Sequence, residues 1–248
     1  MIAGLHFVAS RRPEAKKLAE AMIGKYGQTD AARAACIVAV GGDGTTLKAL
    51  SMVLGKPGGA VFGIRAPGSV GALGNEAWLD DLPERIACAN RLSFTPLIAR
   101  AALKSGAIET VFGFNEVTLV RHKFQALRLR LRLSQAADPL VLFGDGVIAA
   151  TPLGSGAYCR SLGGAQLEVG SGLLAVVGIA LRSPSRPLSA VVNGSAKIVI
   201  EVLDADYRPA RVETHTATVE RVVSLEIQYS DQHAILLKDA VGQPRVGG

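Results

Sequence analysis

Cys36-Ile37-Val38-Ala39-Val40-Gly41-Gly42-Asp43-Gly44-Thr45-Thr46-Leu47-Lys48-Ala49-Leu50 runs from an apolar segment through a glycine turn into a helical pattern. The continuous apolar run suits a strand buried on both faces, and Leu47 and Leu50 recur at helical spacing. A strand, a tight turn and a helix in immediate succession form the core of a parallel α/β unit. The glycines allow positive φ and close backbone approach, and the helix start offers unpaired amides and the positive end of a dipole. That environment suits phosphate. Asp43 is the unusual member, because an acid repels anions unless a metal or a proton-transfer role compensates it. The plainer reading is an N-cap, in which the carboxylate closes the first turn of the helix.

Working outward, Leu5-His6-Phe7-Val8-Ala9 reads as a first strand ended by Ser10-Arg11-Arg12-Pro13, with proline suited to the opening turn of a helix. Ala15, Leu18, Ala19 and Met22 then form a helical stripe that stops near Gly24 to Gly27. Ala60 to Ile64 reads as a third strand, Ala66 to Gly74 as a glycine-rich loop, and Trp78 to Ile86 as the approach to another helix. Ligands of open parallel sheets bind at the carboxyl ends of the strands, where Asp43 falls.

Beyond about Phe94 the helical period disappears. Strands are expected at Leu97 to Leu103, Glu109 to Phe114, Glu116 to Val120, Leu127 to Leu133, Leu173 to Ile179, Lys197 to Leu203, Thr216 to Val219 and Val222 to Gln228. In Leu127-Arg128-Leu129-Arg130-Leu131-Arg132-Leu133 the alternation buries leucine and exposes arginine. Those arginines suggest a polyanion surface, but a solvated strand face kept basic against sheet aggregation is the stronger reading. The expected architecture is therefore α/β plus all-β: a Rossmann-like doubly wound N-terminal domain, then a β-sandwich-like C-terminal domain.

Two further segments carry polar groups between small residues. Gly144-Asp145-Gly146-Val147-Ile148-Ala149-Ala150-Thr151-Pro152-Leu153-Gly154-Ser155-Gly156-Ala157-Tyr158 repeats the glycine-flanked Asp and adds hydroxyls, and is open to reading as a pair of tight turns. In Phe112-Gly113-Phe114-Asn115-Glu116-Val117 an Asn and a Glu stand adjacent, on opposite faces if the segment is a strand. An amide and a carboxylate can hold adenine or ribose hydroxyls, or form an exposed hairpin pair. His215 is a lone histidine, read as structural.

Bulk composition narrows the classes. Across 248 residues the hydrophobic share is 49% and the charged share 19%, which marks a folded chain with an aliphatic core. Twenty-seven Lys and Arg against 21 Asp and Glu give a net charge of +6, favouring anionic partners. The aromatic share of 5% leaves too few stacking rings for nucleic acid. No apolar run reaches the roughly 18 residues that cross a bilayer, and no basic segment followed by an apolar one opens the chain, so a cytoplasmic location without a membrane partner is expected. Cys36, Cys88 and Cys159 are widely spaced, without metal-ligand or disulfide patterning, and no bound structural metal is expected.

Taken together, Gly41 to Thr45, Asn115-Glu116 and Asp145 to Tyr158 resemble the GGDGT, NE and DG…TPxGSxAY motifs of the NAD kinase family, in that order, across about residues 1 to 230. The resemblance implies transfer of the γ-phosphate of ATP, or of polyphosphate, to the 2′-hydroxyl of the adenosine ribose of NAD, making NADP. It implies Asp43 as general base or orienting acceptor, and Gly42, Gly44, Thr45 and Lys48 at the phosphates. Asn115, Glu116, Asp145, Thr151, Ser155, Ala157, Tyr158, Ser161 and Ala180 fall to the dinucleotide site. Mg²⁺, or another divalent metal, arrives with ATP. The family's pattern further implies a first domain at 1–94 completed by residues 230–248, and a β-rich NAD-binding and oligomerisation domain at 95–229 in a homodimer or homotetramer.

The chain departs from the family's motifs at several places. Gly156 replaces a threonine, Cys159 an asparagine and Leu153 a smaller residue, and Arg65 and Ala72 stand in the loop where an asparagine and an aromatic are usual. Losing a ring beside adenine costs about 1 kcal/mol of stacking. Two other readings follow: a dinucleotide-binding sensor with a weakened site, or a GGDGT-type kinase acting on a lipid or another small alcohol.

Overall fold

All six residues Cys36–Gly41 are buried, as a strand covered on both faces requires, and this strand organises the first half of the protein. The computed structural model describes residues 4–77, 79–133, 138–183 and 187–240. In chain order the elements begin β1 (Leu5–Ala9), α1 (Pro13–Tyr26), β2 (Cys36–Gly41), α2 (Asp43–Val53), β3 (Ala60–Arg65), α3 (Leu82–Cys88) and β4 (Asn90–Phe94). A run of strands follows: β5 (Leu97–Leu103), β6 (Ile108–Gly113), β7 (Glu116–Arg121), β8 (Leu127–Arg132), β9 (Leu140–Gly144) and β10 (Gly146–Ala150). After the short helices α4 (Pro152–Ser155) and α5 (Tyr158–Ser161) come β11 (Leu173–Ile179), β12 (Ser189–Asn193), β13 (Ile198–Leu203), β14 (Ala210–Glu213), β15 (Thr218–Tyr229) and β16 (Ala234–Lys238).

The chain divides into two units. One runs to Phe94 and resumes at Gln232; the other is Thr95–Asp231. In the first, the sheet order is β1-β2-β3-β16-β4, parallel except for β4, which runs antiparallel to β16. Val38 and Val40 share a core with Ala15, Ala19 and Met22 of α1 and with Leu82 and Ile86 of α3. The alternate residues Ile37 and Ala39 are equally buried, and α2 packs on β2 and β3. Pro13 opens α1, and Gly27 at φ 78 closes it by donating to Ile23 O.

The second unit is antiparallel throughout its main path, β12-β11-β10-β7-β14-β15-β13-β8-β9, with β5 joining β15 and β6. Leu127, Leu129 and Leu131 are at most 1% exposed and pack with Leu142, Ile198 and Ile200, while the arginines between them point to solvent. Arg130 lies directly opposite Glu201 of β13 and pairs with it, and Arg128 pairs with Asp204 at 3.6 Å. The ladder is a paired, solvated face. Expected strands at Thr216 to Val219 and Val222 to Gln228 are one strand, β15, whose ladder slips at Arg221, held at φ 58.

Candidate functional site

At the end of β2 the backbone stays extended through Gly42, at φ −97 and ψ −172, and α2 begins at Asp43. None of Gly41, Gly42 and Gly44 takes positive φ, contrary to the expectation from the motif. Close packing explains the first, since a Cβ on Gly41 would meet Thr45 Oγ1 at 2.4 Å, whereas one on Gly42 would make only ordinary contact with Val70 O at 3.4 Å. Gly44 is exposed. The capping reading also fails: Gly42 occupies the N-cap position without a side-chain bond, and the Asp43 carboxylate turns to the glycine-rich loop instead. Its Oδ2 accepts from Ala72 N at 3.0 Å and its Oδ1 from Leu73 N at 2.9 Å. Lys48 is exposed one turn along the same helix, and Thr45 is half-buried.

The second unit contains a cavity of about 920 Å³ lined by Glu116, Asp145 and Tyr158, with Arg121, Arg211 and His215 among its other walls. Asn115 lies in the bend between β6 and β7, so the two residues do not share a strand. Its side-chain amide has no hydrogen-bond partner among the described residues, while its carbonyl accepts from Thr151 N at 2.8 Å. Glu116 opens β7 opposite Ala150 of β10. Its Oε2 is buried with no partner, and burial pushes the carboxyl up to about 7. Asp145 Oδ1 pairs with Arg121 Nε at 2.9 Å, and its backbone N–H donates to Ile179 O at 2.9 Å.

The segment after Asp145 is not the pair of tight turns offered as its alternative reading. Gly146 to Ala150 form β10, buried at every residue between β7 and β11. Thr151 and Ser155, expected to face the dinucleotide, are 2% and 0% exposed, and their hydroxyls are engaged within the protein. Thr151 Oγ1 lies 2.7 Å from Phe114 O as donor and accepts from Gly154 N at 3.2 Å, capping α4. Ser155 Oγ donates to Pro152 O at 2.8 Å and accepts from Leu167 N at 2.9 Å. Their role is to hold Asn115 and α4 in place. A Cβ on Gly154 would lie 2.1 Å from Asn115 O, which is why glycine stands there.

Tyr158, 46% exposed, faces the cavity, and Cys159 behind it is fully buried. Burial, and then the nearby Glu116, push the Cys159 thiol up. Ala157, Ser161 and Ala180 are exposed and lie outside the cavity lining, with Ala180 held at φ 45. Sequence reading missed Arg121 and Arg211 as cavity residues; both sit on strands whose local pattern signals only a polar face. His215 reaches the cavity too, its ring tilted against Phe114 at 6.1 Å between centroids. Among the described residues no group of three or more His, Cys, Asp and Glu could hold a metal, and no helix is long and apolar enough to cross a membrane.

The chain is 34% identical over 224 residues to an NAD kinase of Hyphomonas neptunium, covering 90% of this chain and 86% of that protein. It is 36% identical over 228 residues to the NAD kinase of Rhizobium meliloti, covering 92% and 88%. This chain belongs to the NAD kinase family. The family's fold is present: yeast NADH kinase, solved with NADH, superposes with a TM-score of 0.81 at 16% identity over 96% of this chain and 84% of that one. An NAD kinase from Archaeoglobus fulgidus, solved with ATP, gives 0.72 at 22% identity over 95% and 93%. No protein-family model matches the chain.

Proposed function

We propose that this enzyme transfers the γ-phosphate of ATP to the 2′-hydroxyl of the adenosine ribose of NAD, forming NADP. The observation that carries the reading is Glu116, whose Oε2 is buried without a partner in the wall of a cavity large enough for a nucleotide. A buried acceptor is costly until a donor reaches it, and ribose hydroxyls supply donors. Asn115, with its amide uncommitted beside Glu116, adds a second contact. Tyr158 offers a face for stacking, and Asp145, already charge-paired by Arg121, accepts from a further polar part of the dinucleotide. Thr151 and Ser155 keep these groups in register, and Ala157, Ser161 and Ala180 lie at the margin of the site.

Asp43 accepts the proton of the attacking hydroxyl. That proton leaves late in phosphoryl transfer, so orientation and charge neutralisation supply most of the rate and the base adds about 10²-fold. Gly42, Gly44, Thr45 and Lys48 face the phosphates from the start of α2. A divalent cation such as Mg²⁺ neutralises the triphosphate when bound. With no group of protein ligands for a metal among the described residues, such a cation would be held mainly by the phosphates it arrives with. Polyphosphate presents the same anhydride and is a second donor class.

The β-rich unit is proposed both to bind the dinucleotide and to assemble the protein as a homodimer or homotetramer. Exposed Leu140 and Val141 on edge strand β9 and Val191 on edge strand β12 suit such contacts. The departures at Arg65, Ala72 and Gly156 motivate the sensor reading, but kinship with NAD kinases at 34–36% identity favours neither it nor the lipid-kinase reading. Purified protein given Mg²⁺, ATP and NAD should produce NADP, detected by a dehydrogenase specific for it. Turnover of diacylglycerol without turnover of NAD refutes the proposal, as does tight NAD binding with no phosphorylation.

A further inference from the structure

The carboxylate of Asp43 is gripped from outside its own turn. Ala72 N and Leu73 N donate to separate oxygens, at 3.0 and 2.9 Å, so the plane of the carboxylate is set by a loop some thirty residues along the chain. The grip is close. A Cβ added to Gly71 would fall 2.1 Å from Asp43 Oδ1, 2.3 Å from Cγ and 2.6 Å from Oδ2, and Gly71 itself sits at φ 148, where L side chains are strained. Only a residue without a side chain lets the loop come this near.

The loop is held in turn by the last strand of its sheet. Lys238 Nζ, at the end of β16, donates to Ala72 O at 3.1 Å and Gly74 O at 2.9 Å. Asn75, 4% exposed, extends the anchor: its Nδ2 donates to Leu237 O and its Oδ1 accepts from Asp239 N, each at 3.0 Å. Asn75 is also tied to β3, donating to Gly63 O and accepting from Arg65 N, both at 2.8 Å. Partial burial and then the nearby Arg65 lower the Lys238 ammonium, while Asp239 and Asp43 act in the opposite sense. Lys238 thus feels the charge of Asp43 as well as the carbonyls of the loop between them.

We propose that the segment Gly71 to Asn75 is a strap that orients Asp43, with Gly71 and Lys238 as its positioning residues. The strap leaves the carboxylate usable. A carboxylate has about four lone-pair sites, and two amides occupy two of them, leaving room for a hydroxyl. Ala72, which lacks the side chain to stack on a base, contributes through its backbone N–H instead. The functional consequence rests on Asp43 being the base proposed above; the steric coupling does not, so the two are tested separately.

The coupling is read by a double-mutant cycle in urea. Gly71→Ala should lower the unfolding midpoint of the native chain, and lower it much less in the Asp43→Ala background, where the clash is gone but the backbone strain at residue 71 persists. Equal losses in the two backgrounds overturn the strap. Should Gly71→Ala fail to fold alone, recovery of a cooperative transition on adding Asp43→Ala shows the coupling, and failure in both backgrounds overturns it.

The lysine is read by kinetics. Lys238→Met should lower kcat for NAD phosphorylation about tenfold or more with KM for NAD and ATP within about twofold, and Lys238→Arg should restore part of kcat. An unchanged kcat, or a change confined to KM, removes Lys238 from the positioning role. If the native chain turns over no NAD at all, the proposed function fails while the urea cycle still decides whether the strap exists.

Discussion

Asp43 and Glu116 are both carboxylates, and their surroundings differ in the donors they supply. Asp43 has two amide donors and stands at the start of a helix, whereas Glu116 has a buried oxygen with none. Burial moves the Glu116 carboxyl from 4.5 to about 7. Because the folded value lies above the unfolded one, its contribution to stability is complete below about pH 4.5 and is lost as pH rises to about 7. Glu116→Gln should therefore flatten the decline in stability over that window and leave the variant more stable at pH 8, by roughly 1 to 3 kcal/mol in urea titrations. A parallel pH profile for the two proteins contradicts the assignment. Ala180 offers a second residue-scale check. Its φ of 45 is a conformation that costs an L side chain about 1 kcal/mol, so Ala180→Gly should raise the melting temperature by a few degrees.

Among the elements, those with a strong local pattern are legible in the sequence, and those that depend on distant partners are not. The unbroken apolar run of β2 and the strict alternation of β8 each announce their environment without help from other segments. β10 is hidden because Val147-Ile148-Ala149-Ala150 is short and stands between Gly146 and Thr151-Pro152, and only pairing with β7 and β11 makes it a strand. The strand-to-helix turn at Asp43 is legible locally, but the partners of its carboxylate at Ala72 and Leu73 are not, since nothing in the turn refers to them. Thr151 shows the converse: a hydroxyl in a glycine-rich motif looks like a ligand group until its own hydrogen bonds are seen. Thr151→Val should cost about 1 to 2 kcal/mol through the lost cap and the bond to Phe114 O, and should raise KM for NAD as Asn115 loosens. The β8 arginines are expected to matter little. Replacing Arg128, Arg130 and Arg132 by glutamine removes exposed pairs worth less than about 1 kcal/mol each and should leave NADP formation intact.

At the scale of the whole molecule, the chain leaves its first sheet after Phe94 and returns to it at β16, which lies between β3 and β4. A strand from the far end of the chain thus fills an interior position of the parallel sheet and brings Lys238 to the loop around Asp43. No local pattern foretells that closure. On the function proposed above, a member of this family with an altered glycine loop still carries out phosphoryl transfer through Asp43. The most direct test compares Asp43→Asn with the native protein, measuring NADP formation and, by calorimetry, NAD affinity. A fall in kcat of about 10²-fold or more with NAD affinity within about twofold is the predicted result; an active Asp43→Asn enzyme, or one that loses NAD binding along with turnover, contradicts it.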